Sequence, residues 1–552
     1  MTIATHTSSF RRAGAACLAA LLAACGGGGG GAVDPPAPPP APAPSPPASN
    51  PEVVVSAATP ITAGCGFLGA ATLFANAEVE PMIASAPGNP GLLLAAWQQD
   101  RAADGGARAL MSAVSSDGGR TWTRNLHAMS RCGGAAAGSS GDFDRATDPW
   151  VDVGSDGTMH LMGLGFSGAS GTAGSSNAML ASRSTDNGRT WSAPAVLQSD
   201  GAAAFNDKNT LTADPVDARY VYAVWDRLAN DNGPTLFARS IDAGASWEPA
   251  RVIYVPTAAG GVSQTIGNRI VVLTDGAERG LLVNVFVQID SVNNVSSNRL
   301  RVQRSSDKGI TWSAPITVAD HRAVGTRDPD TTNTVRDGTL VPTIAAGPGG
   351  QVWVAWQDAR FSAGQRDAIV LSRSGDGGRT WSAPVAVNRD ASVAAFTPTL
   401  HVRTDGRIGL MHYDLRSNTP TTDTLLADLW LLTSNDAVTW TETTLRRGLN
   451  LNTAPSVSGG IFLGDYQGLS SSGSIFIPLA VLPNADLNNR TDVVAMRIED
   501  TKARLQRAQA ASEHNVRSEP PTLSTAQRAR LAQDSGDATR RALAWRRGGR
   551  QR

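Results

Sequence analysis

The chain has 552 residues with 48 basic and 48 acidic side chains, so its formal net charge is zero and it offers no electrostatic basis for nucleic acid as a partner. Glycine (57) and proline (32) are plentiful while only 17% of residues are charged, the balance of a turn-rich all-β protein. Length alone permits several domains, but internal repetition argues for one large repetitive body with tails.

Residues 1–24 read as an export signal: Arg11-Arg12 precedes an Ala/Leu run too short to span a bilayer as a mature helix. The run ends in Leu22-Ala23-Ala24-Cys25, which resembles a bacterial lipobox and implies cleavage before Cys25 and lipid on its sulfur. An ordinary signal with an incidental Cys is the other reading. Residues 25–51 are a Gly run followed by a Pro/Ala tract, a tether that cannot build a core. These features place the protein in the bacterial cell envelope, at the outer membrane or cell surface or in the periplasm. Cys65 and Cys132 are then the two thiols left in a compartment that permits disulfides, and they are expected to be bonded.

Residues 52–500 carry the repeat. Ser115-Ser116-Asp117-Gly118-Gly119-Arg120-Thr121-Trp122 returns, with variation, around Asp186, Asp242, Asp307, Asp376 and, in a worn copy, Asp436. Apolar alternation enters each copy and a short strand leaves it, so each is a hairpin turn: Gly supplies positive φ, Asp binds nearby backbone N–H groups, and Trp returns to the sheet as an apolar plug. These aspartates are expected to be structural staples. The fifth repeat parses into four strands, at 340–346, 351–356, 367–373 and 383–387. Four antiparallel strands repeated radially make a β-propeller. The Asp residues recur at intervals of 69, 56, 65, 69 and 60 residues. Those exceed minimal blades of roughly 40–50 residues, which puts the surplus in loops. Three strands between Phe462 and Ile498 plus an isolated run at Glu52–Ser56 predict a seventh blade closed by both termini; a six-bladed ring with extra strands outside is the alternative. Residues 501–552 carry twelve basic and four acidic residues and read as a basic tail, partly helical or disordered.

The six turns resemble the Asp-box, or bacterial neuraminidase, repeats of the sialidase superfamily. The resemblance implies a glycan or glycoconjugate partner and an exo-α-sialidase type of glycoside hydrolase; a non-catalytic glycan- or protein-binding propeller of the envelope is the other function reading. Topology puts the Asp turns on the bottom face and any site at the top of the channel. There, second strands end in Trp97-Gln98-Gln99-Asp100-Arg101, Trp225-Asp226-Arg227, Trp356-Gln357-Asp358-Ala359-Arg360 and Tyr413-Asp414-Leu415-Arg416. Each Arg either grips an acidic or polyhydroxylated sugar or pairs with its own loop Asp. First strands open with Glu78 and Glu80, Asp148, Asp207 with Asn209, Arg269, Arg336 with Asp337, and Asp465 with Tyr466. By the resemblance, Tyr466 is the nucleophile, Glu80 or Glu78 polarises it and Asp100 is the acid/base. The carboxylate clamp is drawn from Arg101, Arg227, Arg269, Arg336, Arg360 and Arg416, while Val79-Glu80-Pro81-Met82 stands where the family has Arg-Ile-Pro. Asp328-Pro329-Asp330 with Asp337 reads as an ordinary loop rather than a Ca²⁺ site, and no zinc-like spacing occurs, so neither metal nor cofactor is expected. The sequence is silent on oligomeric state.

Overall fold

The computed structural model describes residues 52–66, 71–229, 232–293, 295–331, 333–499 and 512–543. The signal, the tether and Cys25 lie outside the described residues. Within them the chain is nearly all β, with a single α-helix, Thr525–Leu543.

Seven antiparallel four-stranded arrays occur among the described residues. The first is Val79–Ala86, Asn89–Ala102, Ala107–Ser115 and Thr123–His127. The second, Arg145–Val153 to Ala195–Gly201, is tied to it by the single pair Ala107↔Ala146. The third runs from Ala204–Ala213 to Arg251–Tyr254, the fourth from Val262–Val272 to Ile316–His321. Thr343–Gly347 to Val385–Ala386 form the fifth and Ala395–Val402 to Thr439–Asn450 the sixth. The seventh takes Gly468–Ser472, Ile475–Pro483 and Thr491–Met496 from one end of the chain and Glu52–Val54 from the other, with Val53 opposite Ala495.

Strand residues are buried on both faces because each array packs on its neighbours. One apolar cluster joins the first three arrays through Leu94, Leu110, Met162, Leu180 and Trp225. Others join the third to the fourth, the fourth to the fifth and the fifth to the sixth. The last, around Trp97, Tyr413, Leu479 and Val494, joins the sixth and seventh arrays back to the first. Second-strand indoles Trp97, Trp225 and Trp356 are fully enclosed.

Five of the six recurrent turns share one hydrogen-bond scheme, and in the worn copy the Ala437 N–H takes the place of the Gly N–H. In the second, Ser184 Oγ donates to Asp186 Oδ1 (2.8 Å) and accepts from Gly188 N–H (2.9 Å). Asp186 accepts from the Thr190 N–H (2.9 Å) and hydroxyl (2.6 Å), and Asn187 and Gly188 take left-handed φ. These donors, the Thr190 hydroxyl foremost, hold the Asp186 carboxyl down at about 2. Cys65 and Cys132 are joined by a disulfide beside the first array, with Cα atoms 5.7 Å apart.

The first strands share a second device. Pairing slips between Val79 and Met82, Thr147 and Trp150, Asp207 and Thr210, Ile266 and Arg269, and Phe396 and Thr399. At each slip one residue turns left-handed: Glu80 (φ 53°), Asp148 (52°), Lys208 (50°), Gly267 (71°) and Thr397 (49°). Such bulges re-aim a side chain out of the alternation of its strand. Three of these residues are charged.

Candidate functional site

The bulges bring Glu80, Asp148 and Lys208 together with Asp465, which follows the left-handed Gly464 at the entry to the seventh array. Lys208 Nζ lies 2.7 Å from Asp465 Oδ2, 3.4 Å from Asp148 Oδ1 and 3.7 Å from Glu80 Oε1. Arg336 closes the far side: Nε donates to Asp465 Oδ1 (3.0 Å) and Nη2 to Oδ2. Gln98 Nε2 donates to Glu80 and to Thr147 Oγ1 (2.9 Å), and Gln98 Oε1 accepts from Arg101 Nη1 (2.5 Å). The guanidiniums of Arg101 and Arg336 both stack on Phe462, each 4.7 Å from the ring centre. All four ionic side chains at the centre are under a tenth exposed.

Burial dominates the proton affinities. It pushes Glu80 up to about 8, against the attraction of Lys208, with Asp148 and Asp465 adding to the rise. Burial works the same way on Asp148, but the Lys208 ammonium and a hydrogen bond from Glu80 prevail and hold that carboxyl below its usual range. Asp465 is held far lower by Arg336 and Lys208 despite its burial. Arg101 falls to about 10, through burial and the neighbouring Arg336 charge. Burial thus favours the proton on Glu80, while the Lys208 and Arg336 charges favour the ionised forms of Asp148 and Asp465.

The other sequence candidates disperse. Tyr466 is buried, and its hydroxyl donates to the Pro149 carbonyl (3.0 Å) while its ring leans on Trp150 at 5.3 Å. No hydrogen bond joins it to Glu80 among the described residues, and burial, with the nearby carboxylates, raises its pKa well above that of free phenol. The expected Tyr–Glu couple is thus not assembled, because the backbone carbonyl already satisfies the hydroxyl. Asp100 staples loops, accepting from Asn76 N–H (2.9 Å), Thr59 Oγ1 (2.8 Å) and Arg108 Nη1 (3.2 Å). Glu78 accepts from Gln99 Nε2 (2.5 Å), and among the described residues no hydrogen bond joins it to the central group.

Of the six arginines, Arg360 grips Asp358 (2.7 and 2.8 Å), and Arg416 grips Asp414 and Glu442 (2.8 Å each). Arg227 grips Asp200 (2.6 and 2.9 Å) rather than its neighbour Asp226. Arg269 lies over the Trp150 ring at 5.0 Å and donates to Thr343 Oγ1 (3.0 Å). Only Arg101 and Arg336 share one place, so a three-guanidinium clamp is not formed. Lys208 is the residue that strand alternation conceals: it stands between Asp207 and Asn209, and only the bulge turns it inward.

A cavity of about 40 Å³ reaches this centre from outside. Lys208, Arg336 and Asp465 line it on one side and Ala538, Arg541 and Ala542 of the helix on the other. Thr326 also lines it. Among the described residues no group of His, Cys, Asp and Glu has the arrangement of a metal site.

No family model matches the chain and no curated protein matches it. Among solved structures it is similar to an α-L-arabinanase of Penicillium chrysogenum complexed with arabinobiose, at 14% identity over 81% of this chain and 97% of that one, with a TM-score of 0.42. An intramolecular trans-sialidase from Ruminococcus gnavus matches at 12% identity over 77% and 95%, TM-score 0.38, and the Hadza microbial sialidase Hz136 at 16% over 61% and 63%, TM-score 0.37.

Proposed function

We propose that the chain is an exported, lipid-anchored propeller of the sialidase superfamily that engages a glycan at the mouth of its channel. In this reading the seven arrays are seven blades, the last completed by both ends of the chain, and the six Asp turns are Asp boxes. One observation carries the functional part: Glu80, Asp148, Lys208 and Asp465, from four separate strands or their entries, converge with Arg336, and a cavity reaches Lys208, Asp465 and Arg336 of that group. Buried ionic groups aimed at one point by bulges are costly to a fold, and such groups cluster at sites of binding and chemistry. A mixed set of carboxylates and cations suits the hydroxyls and acid groups of a sugar.

The test is binding to a glycan array of the full chain and of a Leu531→Asp variant, which charges the leucine that seats helix Thr525–Leu543 against Val324 and Ala359 beside the cavity. The same proteins are assayed on a panel of fluorogenic glycosides that includes sialosides and arabinosides. Retention of specific glycans, lost in Arg336→Ala, supports the reading; no binding and no turnover by either protein overturns it.

Any turnover on the glycoside panel is assigned by two variants. Turnover abolished by Glu80→Gln while glycan binding survives assigns it to Glu80, whereas turnover abolished by Tyr466→Phe assigns it to the tyrosine.

A further inference from the structure

Helix Thr525–Leu543 packs against the fourth and fifth arrays and lines the cavity beside Lys208, Arg336 and Asp465. Its buried residues are Leu531, Ser535, Gly536, Ala538, Thr539 and Leu543, small side chains between two leucines that let the helix lie close. Leu531 packs with Val324 and Ala359, and Leu543 joins the cluster of the fourth and fifth arrays. Asn298 Nδ2 donates to Thr539 Oγ1 (2.6 Å) and Arg541 Nη2 to the Val324 carbonyl (3.0 Å). Two leucines and two polar pins are a slight attachment, and Gly536 weakens the helix itself.

Two independent observations concern what lies beneath. With the helix seated, the cavity next to Lys208, Arg336 and Asp465 has a volume of about 40 Å³, room for a few waters and far below the ~300–1,000 Å³ of ligand pockets. Thr326, which lines it, is 2% exposed and its hydroxyl has no hydrogen-bond partner. A buried hydroxyl left unsatisfied is costly in a finished core, and here it faces the space that the helix shuts.

The helix is also leashed. Ser512–Asn515 adds to the outer strand of the sixth array, with His514 opposite Trp440, and Arg517 pairs with Ala386 of the fifth. The connection that follows is largely exposed from Ser518 to Ser524. The strand can therefore stay docked while the helix leaves.

We propose that Thr525–Leu543 is a tethered autoinhibitory plug that must lift off before a sugar-sized ligand reaches Lys208, Arg336 and Asp465. The inference rests on reading this cleft as the glycan-facing mouth. Lifting exposes Thr326 and the cationic edge of the centre together, and reseating restores the closed state without any change in the blades.

The experiment reads access without any glycan. Thr326→Cys is made in a full chain carrying Cys17→Ser and Cys25→Ser, so that Cys65 and Cys132 stay bonded and residue 326 is the one free thiol. Its reaction with methyl methanethiosulfonate is timed with the wild-type helix and with Leu531→Asp. The plug requires slow labelling in the first and at least tenfold faster labelling in the second, with an unchanged circular dichroism melt of the β body. Asn298→Ala/Arg541→Ala, which removes the polar pins without burying a charge, must accelerate labelling in the same direction. Equal rates in all three chains, with trypsin cleaving the helix faster in the variants, overturn the plug. Fast labelling with the wild-type helix overturns it too. If labelling follows the plug but the loosened chain retains no glycan, the glycan reading fails and the plug stands.

Discussion

Lys208 Nζ lies 2.7 Å from Asp465 Oδ2, although 257 residues separate them. The pair links the third array to the entry of the seventh, and the same ammonium also faces Asp148 and Glu80. One buried cation thus holds carboxyls from three other parts of the chain. Its removal leaves the buried Asp148 carboxylate without its main counter-charge, while Asp465 keeps Arg336, so Lys208→Met should cost about 3–5 kcal/mol at pH 7. Without the ammonium the carboxyls bind protons more readily, and the deficit should shrink at pH 5. Denaturant midpoints of both proteins at the two pH values check this; a deficit that does not change with pH would mean that Lys208 supports the fold by packing alone.

The Glu80 proton gives a second signature. Its folded pKa, about 8, is above the value of 4.5 of a free glutamate, so the folded state binds the proton more tightly than the unfolded chain. Between these values the folded protein carries the extra proton, and its stability must fall as pH rises from about 4.5 through 8. Asp367, raised to about 8 by burial and by Asp337, pulls the same way. The Glu80 share is isolated by difference: stability of wild type minus Glu80→Gln, followed from pH 5 to 8.5, should decline with pH. A flat difference would show that Glu80 is ionised throughout.

How much of this was readable follows from the range over which each signal acts. The hairpins are local: Ser184, Asp186, Gly188 and Thr190 satisfy one another within seven residues, so pattern and geometry coincide. The pairing of Glu52–Val54 with Thr491–Met496 is distant, but a lone apolar run at one end and three strands at the other leave few partners. The centre obeys neither logic. Strand alternation points to Asp207 and Asn209 and steps over Lys208, because a bulge breaks the period of two. A signal did exist: Glu80-Pro81, Asp148-Pro149 and Thr397-Pro398 put Pro inside first strands, where it is confined to edges and bulges. Two of the arginines take the loop pairing that the sequence left open. Asp358 and Asp414 beside Arg360 and Arg416 are partners ready to hand, and a guanidinium satisfied by its own loop has no hold on a ligand.

The turns predict a separable loss. Ser374 Oγ donates to Asp376 Oδ1 (2.7 Å) and accepts from Gly378 N–H (2.8 Å), a buried hydroxyl serving both arms of one turn. Ser374→Ala leaves the Gly378 N–H unsatisfied and should cost about 1–3 kcal/mol. Since the turn is remote in sequence and array from Lys208 and Glu80, glycan retention at a temperature well below the melt should be unchanged. A calorimetric melt paired with the glycan array reads both; a loss of binding without a loss of stability would tie the turn to the site.

The joint between the chain ends makes the last prediction. Val55 is fully buried among Val493, Val494 and Met496, its N–H donates to the Val493 carbonyl (2.8 Å), and Arg124 Nε donates to the Val55 carbonyl (2.6 Å). Arg124 also reaches Ser56 O (2.9 Å), so the first array grips the strand that completes the seventh. A chain beginning at residue 57 should lose all of these bonds and bare Thr491–Met496 as an apolar edge strand. Exposed edges of that kind pair with other chains. Compared with a chain beginning at residue 52, it should melt several degrees lower and self-associate in size-exclusion chromatography with light scattering. An unchanged melt and a monomeric peak would show that the remaining three strands of the seventh array hold the ends without the fourth, and that the joint is not what keeps the arrays together.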